Sequence, residues 1–277
     1  MAYTTINKST DYFNTKLYTG TGAENAISDI GFNPDWVWFK KRSATEHHFV
    51  YDQVRGALKK IAPSNTNAEA TETQTLKSFD TGGYTLGTSA EVNGSSTTYV
   101  SWNWKANGSG SANTDGSISS TVSASTTSGF SVVTYTGNST AGATIGHGLG
   151  VAPEIVFYKS TTLSPSGWLV YSKALGATKE LELNATTAGT TSSVFNNQDP
   201  TSTNLIVNTN AGNNSSSHSY VAYCFAPKKG FSKFGSYTGN ANNDGPFLYT
   251  GFKPAFLMTK RTDTTGDWMM WDSGRNT

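Results

Sequence analysis

The residues best suited to chemistry are few, and each has an ordinary explanation. His47 and His48 stand shortly before Asp52, the one place where histidines cluster. Neighbours in a strand point to opposite faces, so this pair is poorly placed to hold one metal ion. Cys224 is the single cysteine; it excludes an intrachain disulfide, and with no basic neighbour in sequence it reads as a structural thiol. His147 lies in "IGHGLGVAP", where glycines serve turn geometry and the helix required after a phosphate-binding loop is missing. "NTDGS" and "NANNDGP" are turn sequences that lack the spaced acids and terminal Glu of a calcium-binding EF-hand. A polysaccharide-cleaving site would need paired carboxylates in a groove, whereas the 19 acidic residues are scattered. The expectation is a protein without catalytic residues, bound metal or cofactor.

The elements that would position any site repeat along the chain. "YTGTG" from Tyr18, "YTGNS" from Tyr135 and "YTGNA" from Tyr237 each precede a proline-led apolar run: "NPDWVWFKKR", "APEIVFYKS" and "KPAFLMTKR". "HHFVYDQVRG", "GWLVYSKALG" and "DWMMWDSGRN" follow in register, and "YVSWNWKA" and "YVAYCFAP" close the first two copies. The units have the size of small domains and exceed a solenoid repeat. Alternating, β-branched and aromatic runs between Gly, Asn, Ser and Thr turns predict strands near 15–20, 35–42, 47–52, 75–79, 83–87 and 97–105. In the second unit they fall near 130–136, 154–159, 168–172, 179–184, 204–208 and 219–225. The fold class is all-β, with tandem antiparallel β-sandwich modules; a jelly-roll connection fits this pattern without following from it. "DQVRGALKKIA" is the one segment with room for a turn or two of helix.

The boundaries read as an N-terminal docking segment (1–12), module 1 (13–105), a flexible linker (106–117), module 2 (118–227) and the start of module 3 (228–277). Module 3 has an opening strand, a proline-led strand and a "WMMWDS" strand but nothing matching the closing strand. Half a sandwich leaves an apolar face and bare edges, so completion by further chain or by another subunit is expected.

Comparing the copies also sorts the aromatics. Trp36 corresponds to Ile155 and Phe256, Trp38 to Phe157 and Met258, Trp102 to Tyr223, and Trp104 to Phe225. Bulk persists while the indole does not, which is how core positions behave. Phe39 corresponds to Tyr158 and Thr259 and is expected on a partly exposed face. Trp168 and Trp268, where module 1 has His48, are with Phe39 the aromatic candidates for a surface contact. Lys40, Lys159 and Lys260 end the proline-led strand in all three copies and are expected to keep their ammonium groups in water. Tyr3, Ile6 and Tyr12 are the candidates for docking ahead of the first repeat.

Composition limits the partners. Charged residues are 14% of the chain and the net charge is +1, which argues against a nucleic-acid footprint. No apolar run is long enough to span a bilayer, and "MAYTTINKSTDYF" lacks the basic start and apolar core of a signal peptide. Synthesis in a cytosol is expected.

"INKSTDYFNTKLYTGTG", "GFNPDWVWFKKR", "VNGSSTTYVSWNWKANGSGSANTDGSISSTVSAS", "GHGLGVAPE" and "DGPFLYTGFKPAF" resemble the modular tail-fibre-like and virion structural proteins of tailed bacteriophages, marine ones especially. The resemblance spans essentially the whole chain. It implies a virion component built of tandem β modules, a fibre, spike or head-decorating appendage in host attachment, with other virion proteins as partners. A host glycan or receptor and a trimeric homo-oligomer belong to the same expectation. The alternative is a carbohydrate-binding module of a host-recognition protein.

Overall fold

Branched and aromatic side chains pack well on a pleated surface, and glycine or asparagine supplies the turns between. In the computed structural model, which describes residues 4–275, module 1 holds β1 (Phe13–Thr19), β2 (Asn25–Ile27), β3 (Trp36–Lys41) and β4 (Phe49–Asp52). It continues through β5 (Lys59–Lys60), β6 (Ala70–Thr71), β7 (Leu76–Asp80), β8 (Gly83–Leu86), the one-turn helix α1 (Ala90–Asn93) and β9 (Thr98–Trp104). Two strands lead into module 2, β10 (Ser111–Asn113) and β11 (Ser120–Ser125). Module 2 proper is β12 (Phe130–Thr136), β13 (Ala143–Gly146), β14 (Ile155–Ser160), β15 (Trp168–Ser172), β16 (Lys179–Glu182), β17 (Thr190–Thr191), β18 (Asn204–Val207) and β19 (Ser219–Phe225). Module 3 is a hairpin of β20 (Phe256–Lys260) and β21 (Trp268–Asp272).

The first two modules share one plan. Their main sheets run β1-β9-β3-β4 and β12-β19-β14-β15, so the last strand of each module inserts between its first strand and its proline-led strand. The smaller sheets, β2-β8-β7 and β13-β18, cover the outer face. Val37, Phe39, Phe49 and Tyr51 meet Ile27, Leu76, Tyr84 and Leu86 in one core. Val156, Tyr158, Leu169 and Tyr171 meet Ile145, Leu205 and Val207 in the other. The hairpin follows the same register: Phe256 faces Asp272 as Trp36 faces Asp52 and Ile155 faces Ser172.

The repeated Tyr-Thr-Gly phrase is a clamp. Tyr18 Oη donates to Val92 O and Tyr135 Oη to Asn213 O, both at 2.7 Å. Each ring stacks on a tyrosine of the closing strand, Tyr99 at 5.2 Å and Tyr220 at 5.3 Å. The glycine then lets a loop backbone press in: a Cβ on Gly20 would overlap Gly94 O, and one on Gly137 would overlap Ser215 O. In the third copy Tyr237 is 52% exposed and nothing approaches Gly239. Gly137→Ala is therefore expected to cost about 2–4 kcal/mol and Gly239→Ala less than about 0.5 kcal/mol, read from chemical denaturation.

Four expectations are corrected. The segment 106–117 is not a flexible linker. Asp35 accepts from Ala106 N at 2.5 Å and Gly108 N at 3.0 Å, and β10 extends the module 2 sheet through β11. Residues 52–62 form no helix, because a turn after Asp52 sends the chain into β5. The opening strand expected near Tyr237 does not form. In both main sheets the opening strand bonds to a closing strand, and no closing strand lies beside β20 among the described residues. Lastly, the modules are not independent domains, since a third core lies between them. Trp36, Trp38, Val100 and Trp102 of module 1 pack there on Phe130, Val132, Phe157, Trp168 and Tyr223 of module 2. Phe256, Met258, Trp268 and Met270 of module 3 lie against the same cluster.

Candidate functional site

The joints between modules hold most of the unusual side-chain chemistry. Module 2 seats on module 1 through Trp168 Nε1, which donates to Ala62 O at 3.0 Å, and through Lys159 Nζ, which donates to Thr66 O at 3.3 Å and, within module 2, to Ser166 O at 2.6 Å. Module 3 seats on module 2 by the same atoms one copy later. Trp268 Nε1 donates to Glu182 O at 2.9 Å and Lys260 Nζ to Thr186 O at 3.1 Å. Backbone bonds repeat as well: Ser166 N to Thr66 O and Gly266 N to Thr186 O are both 2.9 Å.

A second contact set runs in the same rotational sense. Tyr223 Oη of module 2 donates to Asp52 Oδ2 of module 1 at 2.7 Å. Trp102 Nε1 of module 1, the residue equivalent to Tyr223, donates to Asp272 Oδ2 of module 3 at 3.0 Å. Second packs on first, third on second, and first on third. The three interfaces are heterologous and close a ring, as three copies of one surface do about a threefold axis.

The ring's corners carry paired charges. Arg55 Nε bonds Asp52 Oδ2 at 2.7 Å, Arg55 Nη1 bonds Glu69 Oε2 at 2.9 Å, and Arg55 Nη2 reaches Tyr223 Oη at 3.1 Å. Arg275 bonds Asp272 in the same way and lies 5.0 Å over the Trp102 ring. Module 2 has Ser172 and the apolar Leu175 at this corner, with Leu175 packed on the central core. This network is absent from the sequence reading, although Asp and Arg three apart recur as "DQVR" and "DSGR".

The residues selected from sequence fall elsewhere than expected. Phe39 is fully buried in module 1's own core and Trp168 is 1% exposed in the joint, so neither is a surface contact. Trp268 is half-buried with its indole N–H engaged. Lys159 is fully buried and donates to carbonyls, and burial lowers its pKa to about 8. The repeated lysines are thus joint-forming and not solvated at Lys159. Of the docking candidates, Tyr3 lies outside the described residues. Ile6 is buried, and Tyr12 is half-buried with its ring edge-on to Phe231 at 6.2 Å. Trp36, Trp38 and Trp102 are buried as expected, but in the shared core.

Cys224 is buried and its thiol is pushed up to about 12 by burial, which leaves it inert. His147 accepts from Leu149 N at Nδ1, so Nε2 carries the proton and donates to Thr201 O. Among the described residues no cluster of three or more His, Cys, Asp or Glu is placed to hold a metal ion, and no helix is long and apolar enough to cross a membrane.

A family model described as a domain of unknown function, DUF7483, matches residues 8–277. The chain belongs to the DUF7483 family. No curated protein and no solved structure matches it. The matched span takes in all three repeats, so a DUF7483 domain corresponds to the ring and not to one sandwich.

Two polar features of the DUF7483 ring border solvent. A cleft of about 640 Å³ opens between modules 1 and 2, lined by Arg55 and Glu69 on one wall and by Thr121, Thr134, Thr161 and Ser219 on the other. The threonine row continues the centre-facing side of the module 2 sheet past the end of its aromatics. It offers hydroxyls and an already paired ion pair, which suits hydrogen bonding to a polar ligand and supplies no activated nucleophile.

His48 occupies the place of Trp168 and Trp268 and accepts from Trp38 Nε1 at 2.8 Å through Nδ1. Burial, then the charges of Lys40, Arg275 and His47, lower its pKa to about 4. An unfolded histidine titrates near 6.5, so between these values the unfolded chain binds a proton that the folded one refuses. Stability is therefore complete above about pH 6.5 and falls as pH drops toward about 4, by on the order of 3 kcal/mol. Denaturation midpoints across this range are expected to show the fall in the native chain and to lose this part of it in His48→Gln.

Proposed function

We propose that this DUF7483 chain is a non-enzymatic structural protein of a virus particle, a rigid β-sandwich appendage of the fibre, spike or head-decorating kind that faces the host surface. The observation supporting this reading most is the closed ring: three modules share one aromatic core and repeated joints, so one chain forms a stiff block that displays many loops. The charged side chains Lys159, Arg55 and Asp52 each make a contact across the joint between modules 1 and 2. The likeness of its phrases to phage structural proteins gives the particle context. Other virion proteins are its partners in this reading, and the virion is its location. Immunogold electron microscopy with an antibody to this chain should label intact particles at a fixed site; unlabelled particles that contain no copy by mass spectrometry reject the role.

A glycan-binding reading keeps one specific support, the hydroxyl-lined cleft between modules 1 and 2. Its aromatic version is weakened by the burial of Phe39 and Trp168. Glycan-array signal that disappears in Thr134→Trp, which fills the cleft, supports it; an array without signal removes it.

A further inference from the structure

Two Asn-Gly pairs occur in the chain, Asn93-Gly94 and Asn107-Gly108, and the fold treats them oppositely. Asparagine before glycine is the least hindered place for a main-chain nitrogen to attack the preceding side-chain amide, because glycine has no Cβ to crowd the ring that forms. Asn93 is fully buried. Its Oδ1 accepts from Thr21 N at 3.0 Å and Asn25 Nδ2 at 3.1 Å, and its Nδ2 donates to Ala23 O at 2.6 Å and Gly87 O at 2.7 Å. The Gly94 N–H donates to Tyr99 Oη at 2.8 Å, a phenol oxygen far less basic than a carboxylate. The Asn93 amide is therefore locked away from Gly94.

Asn107 is exposed, and only its main-chain N–H is engaged, with Ser123 Oγ at 2.8 Å. A Cβ at Gly108 would meet nothing within 4 Å, so a ring has room there. The Gly108 N–H points at Asp35 Oδ1, 3.0 Å away. Asp35 is 4% exposed, and burial raises its pKa against the opposing pull of the Ala106 and Gly108 N–H groups and of the Lys105 charge. A carboxylate so placed can take the amide proton that a carbonyl acceptor would only hold.

We propose that Asn107 is a self-modification site at which Asp35 serves as the base for intramolecular imide formation. Gly108 N attacks Asn107 Cγ. Asp35 Oδ1 takes the Gly108 proton and passes it to the departing side-chain nitrogen, which leaves as ammonia. Water then opens the succinimide at either carbonyl, giving aspartate or isoaspartate. Each chain reacts once, and water is the only co-reactant. The isoaspartyl product carries one extra main-chain carbon between the N–H groups of Ala106 and Gly108, the two that hold Asp35. Conversion therefore loosens the clamp that ties the segment before β10 to module 1.

The test incubates the full chain at several pH values between about 6.5 and 8 and follows Asn93 and Asn107 by peptide mass and isoaspartyl content. Asn107 should gain the mass of amide-to-acid conversion, while Asn93 stays intact until the chain is unfolded in urea. In a free peptide spanning Lys105–Thr114 the reaction depends on hydroxide and quickens about tenfold per pH unit. In the folded chain ionised Asp35 already supplies the base, so the rate should vary by less than about twofold over the same range. Asp35→Asn should restore the steep dependence; if that variant does not fold, the slope of the native chain decides alone. Asn107 intact in the folded chain while the free peptide converts, equal conversion of both asparagines, or a pH slope matching that of the peptide would each overturn the proposal.

Discussion

Replacing Trp36 with alanine lowers the stability of modules 1 and 2 together, by about 3–5 kcal/mol. The ring belongs to module 1 but lies 4.6 Å from the Tyr223 ring and 5.4 Å from the Phe130 ring of module 2, as well as 4.5 Å from Trp104. Removing it opens a cavity that both modules line. Hydrogen exchange should speed up in β12 and β19 as well as in β1 and β9. Acceleration confined to module 1 would mean that the sandwiches are independent and that the shared core contributes little. Trp36→Phe is the companion variant. The indole N–H has no hydrogen-bond partner among the described residues, so phenylalanine keeps most of the packing and should cost well under half as much.

The charged corner gives the second large effect. Asp52→Ser leaves Tyr223 Oη without its acceptor and the Arg55 side chain, only 5% exposed, with Glu69 as its remaining anion. Breaking a buried pair from one side costs about 3–5 kcal/mol, because the surviving charge stays desolvated. The triple variant Asp52→Ser, Arg55→Leu, Tyr223→Phe should recover most of this loss. It installs at the module 1 corner the serine and leucine that module 2 uses at Ser172 and Leu175, and it removes the orphaned hydroxyl. Urea midpoints of the single and triple variants decide the matter. A triple variant as unstable as the single one would show that the ionic corner adds stability beyond what apolar packing can replace.

The strands were legible because their signal is local. β12, β15 and β19 lie where the alternation of residues at 130–136, 168–172 and 219–225 places them. Core positions were legible too, since bulk retained through three copies marks burial wherever the core happens to be. The comparison misled at Phe39. It rests on all copies having one environment, yet Thr259 stands on the hairpin's outer face, which lacks the second sheet that covers Phe39. An uncovered face tolerates a small polar residue, and that tolerance mimics exposure. Trp168 and Lys159 misled for a different reason. Their partners, Ala62 and Thr66, lie about a hundred residues upstream in another module, beyond any periodicity that neighbouring residues can record.

Sequence alone determined the all-β class, the threefold repetition, most of the longer strands, and the identity of the large residues that must leave water. Each depends on propensity, alternation or volume, which are properties of short segments compared with one another. Only the tertiary structure decided that the modules close into a ring with a common core, and that the repeated lysines and tryptophans are joints. It likewise decided that Asp52 and Asp272 receive donors from a neighbouring module. These are contacts between segments far apart in the chain, made where two surfaces happen to fit, and their energy comes from excluding water between modules and not from any pattern within one.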